Sequence, residues 1–107
     1  MSDRYQDDLD DIDDDFAADD DRFDWDDGNL HKLDDHHVSA EEAEEACLDP
    51  DRKPASAYNV KGERRRALVG TTETGRILYV VYTQRSGRIR VISARDATRD
   101  EQRKYWR

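Results

Sequence analysis

The run GRILYVVYTQRSGRIRVISARD, residues 75–96, decides how this chain folds. From Ile77 to Tyr82 it is almost continuously apolar, the pattern of a central strand covered on both faces. From Arg88 it alternates, with Ile89 and Val91 facing one way and Arg88 and Arg90 the other. Arg85-Ser86-Gly87 between the two runs is a short Gly-bearing hairpin signal, and Glu73-Thr74-Gly75 is another just upstream. RRALVGTT, RILYVVYT and RIRVIS therefore read as three consecutive antiparallel strands.

Helices flank this unit. Towards the C-terminus, Thr98 and Glu101 have the S/T-x-x-E spacing of a capping box, in which hydroxyl and carboxylate each satisfy an orphan backbone N–H. They open a last helix running through Gln102–Trp106. Towards the N-terminus, Ser39 and Glu42 form a second box, opening SAEEAEEACL. That helix stops at Asp49-Pro50, because proline disfavours α geometry in the residue before it. Its apolar stripe is narrow: Ala43, Ala46 and Cys47. A further helix spans Gly28–Asp35, with Leu30 and Leu33 on one side, until His36-His37-Val38 breaks it. Residues 50–62, PDRKPASAYNVKG, read as a loop. The order is helix, helix, strands, helix, an α+β domain with helices packed on one small sheet.

The charge is badly mixed. The chain has 107 residues and a formal net charge of -9. Residues 1–27 hold 14 Asp against Arg4 and Arg22, whereas residues 61–107 hold 13 bases and 5 acids. The acidic pI describes a tail, not the domain. Residues 1–22 cannot hide enough apolar surface to offset the entropy of ordering, so they read as a disordered acidic tail. Leu9, Ile12 and Phe16 fall at helical spacing within it, which allows a transient helix on a partner. The folded unit is then 23–107. A flexible segment of such charge can also fold back over the basic face as an electrostatic mask that weakens with salt. Cys47 is alone, which excludes an internal disulfide and suits a reducing cytoplasm. No apolar run approaches a membrane span, and the N-terminus lacks the regions of a signal peptide. A cytosolic protein without a membrane role is expected.

The basic C-terminus carries the chemistry. Arg88 and Arg90 share a strand face, Arg95 leaves its end, and Arg99 and Arg103 lie four apart on the last helix. With Lys104, Tyr105 and Trp106 they can form a cationic, aromatic surface. Guanidinium groups grip phosphates bidentately and rings stack on unpaired bases, so such a surface suits single-stranded RNA. The bland alternative is a solvated strand face paired with Asp96 or Glu101. His31, His36 and His37 beside Asp34 and Asp35 are weak as a metal site, since zinc favours thiolates or a rigid His pair. FDWDDG fails as an EF-hand loop, because Phe23 and Trp25 would stand where oxygen ligands are needed. An imidazole is the side chain suited to acid–base work near neutrality, so His36 is a candidate acid or base, although a lone loop His is usually structural or exposed.

Together, WDDGNLHKLDDHHVSAEEAEEA, ERRRALVG, GRILYVVYTQR and RIRVISARDATRDEQRKY resemble, in order, the sequence blocks of the BrnT family of type II toxins. The resemblance covers residues 23–106. Its most specific part is R-x-R-V-I-S-A-R-x-A-T-x-x-E-x-x-x-Y, residues 88–105. It implies a compact RelE-like fold with a three- to four-stranded antiparallel sheet. It also implies a ribonuclease toxin that inhibits translation without metal or other cofactor. A BrnA-type antitoxin would neutralise it and carry it to operator DNA, which leaves open a dimer within that complex. The matching polar positions are His36, Arg65, Arg90, Arg95, Glu101 and Tyr105, as candidate catalytic residues. Arg88, Arg99, Arg103, Lys104 and Trp106 are the candidate RNA contacts. One departure stands out: the Gly usual after the family's His is His37 here. Two rivals remain at this point. One is a RelE-like module that binds its antitoxin without cleaving; the other is a regulator whose arginines touch only phosphates.

Overall fold

The computed structural model describes residues 22–57 and 64–107. The acidic tail, its proposed transient helix and masking role, and the end of the 50–62 segment lie outside the described residues, apart from Arg22. Within them, α1 (Asp27–Asp34) and α2 (Ala40–Leu48) precede β1 (Lys53–Ala55), β2 (Arg66–Thr71), β3 (Ile77–Arg85) and β4 (Arg88–Asp96), and α3 (Arg99–Tyr105) closes the chain. The four strands pair antiparallel in the order β1-β2-β3-β4. β1 corrects the expectation of a plain loop over residues 50–62. It is three residues long and contains Pro54, which an edge strand tolerates and a central one does not.

Each helix begins where a side chain caps it. Ser39 Oγ accepts from the Glu42 N–H at 3.1 Å while Glu42 Oε1 accepts from the Ser39 N–H at 3.0 Å. Thr98 and Glu101 repeat the arrangement at α3. A third box, at α1, uses Asp26 and Asn29, with Asn29 Oδ1 accepting from the Asp26 N–H at 2.7 Å. Asn29 is buried, and its amide also donates to the Asp24 carbonyl. Leu33 is buried on this helix but Leu30 is exposed, so its inner face carries Asn29 and Leu33, not the two leucines expected.

The core lies between the sheet and the pair α1, α2. It holds Phe23, Leu33, Val38, Ala43, Ala46, Cys47, Leu68, Leu78, Val80, Tyr82, Ile89, Val91 and Ala94. The continuous apolar run of β3 is not covered equally: Leu78, Val80 and Tyr82 are buried, whereas Tyr79 and Val81 on the other face are half-buried. The narrow stripe of α2 has a structural reason. A Cβ on Gly70 would stand 2.1 Å from the Ala46 carbonyl oxygen, so the helix backbone rests directly on β2. A smaller cluster, Val69, Ala97 and Tyr105, seats α3 on the opposite face.

One turn and one bulge fix the alignment of β3 and β4. Ser86 and Gly87 both have positive φ, the two-residue hairpin geometry whose twist matches that of the strands. Further along, Tyr82 pairs with Val91 but Val81 pairs with Ser93, leaving Ile92 as the extra residue of a β-bulge. Arg90 and Arg95 are an odd number of residues apart and would point to opposite faces of a regular strand. The bulge restores them to one face, the face on which α3 lies.

Candidate active site

At the C-terminal end of β4, Arg95 is the centre of a compact constellation. Its Nη1 and Nη2 donate to the two carboxylate oxygens of Glu101 at 2.9 and 3.0 Å, and Nη1 also donates to the Asp96 carbonyl at 3.0 Å. The guanidinium lies 4.1 Å from the ring centroid of Tyr79, its cross-strand partner. This pairing follows from the fold: β4 presents Arg95, and the capping box of α3 fixes Glu101 in front of it. Three of the five guanidinium N–H groups are used in this way. Nε–H and the second Nη2–H have no acceptor among the described residues, and together they form an edge whose two parallel donors have the geometry for a bidentate oxyanion.

The electrostatics match. The hydrogen-bonded Arg95 guanidinium holds the Glu101 carboxyl below the usual carboxylate range, and Glu101 raises Arg95 in return. Tyr105 lies beside them, buried against Val69 and Ala97, and its hydroxyl donates to Asp49 Oδ2 at 2.5 Å. Burial first, then that bond to Asp49, pushes its phenol above the ordinary value. Trp106, 70% exposed and edge-on to Tyr105, has the accessible ring.

The other candidates are distributed around this centre. Arg90 is half-buried near the opposite end of β4. Its Nη2 lies 2.9 Å from Asp26 and its Nη1 3.7 Å from Asp24, so two carboxylates compensate its charge. Arg88 donates to the Phe23 carbonyl at 2.8 Å, on the strand's same face. These contacts fasten the segment before α1 to the edge of β4, where Phe23 bridges Ile89. Arg65 is half-buried just before β2, at the Arg90 end of the sheet. Arg99 and Lys104 are exposed on α3, as is Arg103, which pairs with Asp100.

His36 is exposed in the turn between α1 and α2, on the far side of the sheet from Glu101. What connects it to the centre is Arg76, a residue that no motif singled out. Arg76 Nε donates to Asp96 Oδ1 at 2.7 Å, Nη1 to the His37 carbonyl at 2.9 Å and to Glu42 at 3.1 Å, and Nη2 to the His36 carbonyl at 3.4 Å. The turn is thereby tied to the residue next to Arg95. His37 has a φ of 56°, in the left-handed region where a glycine would be unstrained.

Among the described residues no group of three or more His, Cys, Asp or Glu is placed to hold a metal ion. Cys47 is fully buried, and burial pushes its thiol up to about 12, which makes it an inert core residue. Among the described residues no helix is long and apolar enough to cross a membrane.

An antiparallel sheet with two capped helices on one face, and an arginine–carboxylate–tyrosine group at a third helix on the other, defines a small α+β protein. The chain matches the family model described as "Ribonuclease toxin, BrnT, of type II toxin-antitoxin system" over residues 25–101. It belongs to the BrnT family of ribonuclease toxins. No curated protein sequence matches it.

Proposed function

We propose that this chain is a metal-independent endoribonuclease that cleaves RNA, inhibits translation in the cytoplasm and is neutralised by a BrnA-type antitoxin, with residues 23–107 as the toxin domain. The observation that carries this reading is the open Nε–Nη2 edge of Arg95, held in place by Glu101 and Tyr79. Cleavage without metal uses the neighbouring 2′-hydroxyl, which attacks phosphorus. The 5′-oxygen leaves, and a cyclic phosphate and a free 5′-hydroxyl result. Negative charge builds on the phosphoryl oxygens, and a preorganised guanidinium stabilises it.

Arg95 takes that role, with Arg90 and Arg65 extending the surface towards the strand's other end. Glu101 orients the guanidinium. When a phosphate shares the charge of Arg95, the Glu101 carboxylate regains basicity and can accept the 2′-hydroxyl proton. Tyr105, on the same face of the sheet as Glu101, returns a proton to the leaving oxygen. Arg88, Arg99, Arg103, Lys104 and Trp106 line the path of the strand. DNA is reached only through the antitoxin, in which a toxin dimer can be accommodated.

The test is cleavage of an unstructured RNA by the antitoxin-free protein in the presence of EDTA, with the new ends mapped. Ends bearing 5′-hydroxyl and 2′,3′-cyclic phosphate are expected. Intact RNA at high enzyme concentration would refute the enzymatic reading and leave an antitoxin-binding module.

A further inference from the structure

A cleft of about 620 Å³ opens on the outer face of the sheet, between β1 and α3. Ala55, Val69, Tyr79 and Tyr105 line it, and Lys53 and Lys104 join from its two sides. Tyr79 braces it: the hydroxyl donates to the Ser56 carbonyl at 2.7 Å, and the ring carries Arg95 at 4.1 Å. Glu101, the carboxylate paired with Arg95, also lines the cleft, so the cleft borders the Arg95–Glu101 pair.

The composition and size of this space fit one class of ligand. It lies in the range of small-molecule sites, with apolar walls from Ala55, Val69 and the two tyrosine rings and with Lys53, Ser56, Glu101 and Lys104 as polar groups around them. A nucleobase is a flat body with apolar faces and polar edges, and the lysines on either side suit the phosphates that flank it. A base within a duplex is stacked and cannot enter. We propose that the cleft receives one unstacked nucleobase of a single-stranded RNA, next to the phosphate held by Arg95. This rests on the ribonuclease reading above. It assigns to Tyr79, Ala55 and Val69 a part in substrate positioning that the family motif does not carry.

The full chain, free of antitoxin, is titrated by NMR with the four nucleoside 5′-monophosphates and with a 2′-O-methylated oligoribonucleotide, whose blocked hydroxyl prevents self-cleavage. Shifts are expected at Ala55, Val69 and Tyr79. Ala55→Trp, which fills the cleft from an edge strand, should weaken oligonucleotide binding by about tenfold or more, the scale of one stacked base. Where that variant fails to fold, Lys53→Ala with Lys104→Ala serves instead, and the wild-type titration stands by itself. RNA cleavage with no shift in the cleft, or with folded Ala55→Trp binding normally, overturns the base site and leaves the ribonuclease reading intact. Shifts in the cleft without any cleavage uphold the base site and remove the enzyme. Neither shifts nor cleavage overturns both.

Discussion

Replacing Arg95 with Ala separates a working guanidinium from a merely structural one. The side chains of the Arg95–Glu101 pair are 37% and 23% exposed, so the ion pair contributes at most about 1 kcal/mol. The contact with Tyr79 adds about 0.5–1 kcal/mol. Glu101 keeps its capping bond from the Thr98 N–H at 2.8 Å, so α3 retains its start. The expected cost is about 1–2 kcal/mol, or roughly 5–15 °C in Tm for a domain of this size. Against a typical stability of about 5–15 kcal/mol the variant remains folded. Loss of a preorganised donor at a developing oxyanion costs about 10²–10³-fold in rate. Arg95→Lys, which keeps the charge but not the fork, should fall between the two. The assay pairs single-turnover cleavage of a labelled RNA with a thermal melt of each variant. A lowered Tm with cleavage within about threefold of wild type would show that Arg95 only fastens α3 to β4, and the mechanism above would fail.

Gly70→Ala places a methyl 2.1 Å from the Ala46 carbonyl oxygen, backbone against backbone. Chemical denaturation should show a loss of about 1–3 kcal/mol or more, the scale of an overpacked core. His37→Gly relieves a left-handed φ of 56° and should raise stability by about 0.5–1 kcal/mol by the same measurement. Glu42, Asp96 and Glu101 have carboxyls depressed by hydrogen bonds: from the Ser39 backbone and then Arg76, from Arg76, and from Arg95 respectively. Their contribution is present above the ordinary carboxylate range and is lost as pH falls through the folded values. Melts between pH 7 and 3 should therefore show Tm falling below about pH 4.5, and Glu101→Gln should make that fall shallower.

Much of this fold was legible because local chemistry dictated it. Ser39 with Glu42, and Thr98 with Glu101, announce helix starts by spacing alone, and Ser86-Gly87 announces the hairpin. The Asp26 box was missed because Asn29 stands where Glu or Gln is the usual sign. β1 was missed because three residues around a proline carry no alternation. The site was less legible for a different reason: its geometry is tertiary. Arg95 was a candidate by motif, but the edge it leaves without an acceptor among the described residues depends on where α3 places Glu101. Tyr79 looked like one more core residue of an apolar strand, and only the sheet register sets it beneath Arg95. Asp49, read as a helix stop, also accepts from the Thr71 N–H and from the Tyr105 hydroxyl, joining residues 56 positions apart. Nothing in the sequence hinted at Arg76, whose four acceptors come from three separate segments.

The extra residue at Ile92 has an unexpected implication for how this strand can change length. Remove Ile92, and Val91 still faces Tyr82 while Ser93 still faces Val81, now in an uninterrupted ladder. Arg90 and Arg95 keep their side of the sheet, and the strand merely loses a local twist. A one-residue deletion is ordinarily ruinous inside a paired strand, because everything beyond it turns over. Here it is the point at which the gene can lose a codon and keep its basic face. Shortened variants of β4 that still cleave RNA should have their gap at this position.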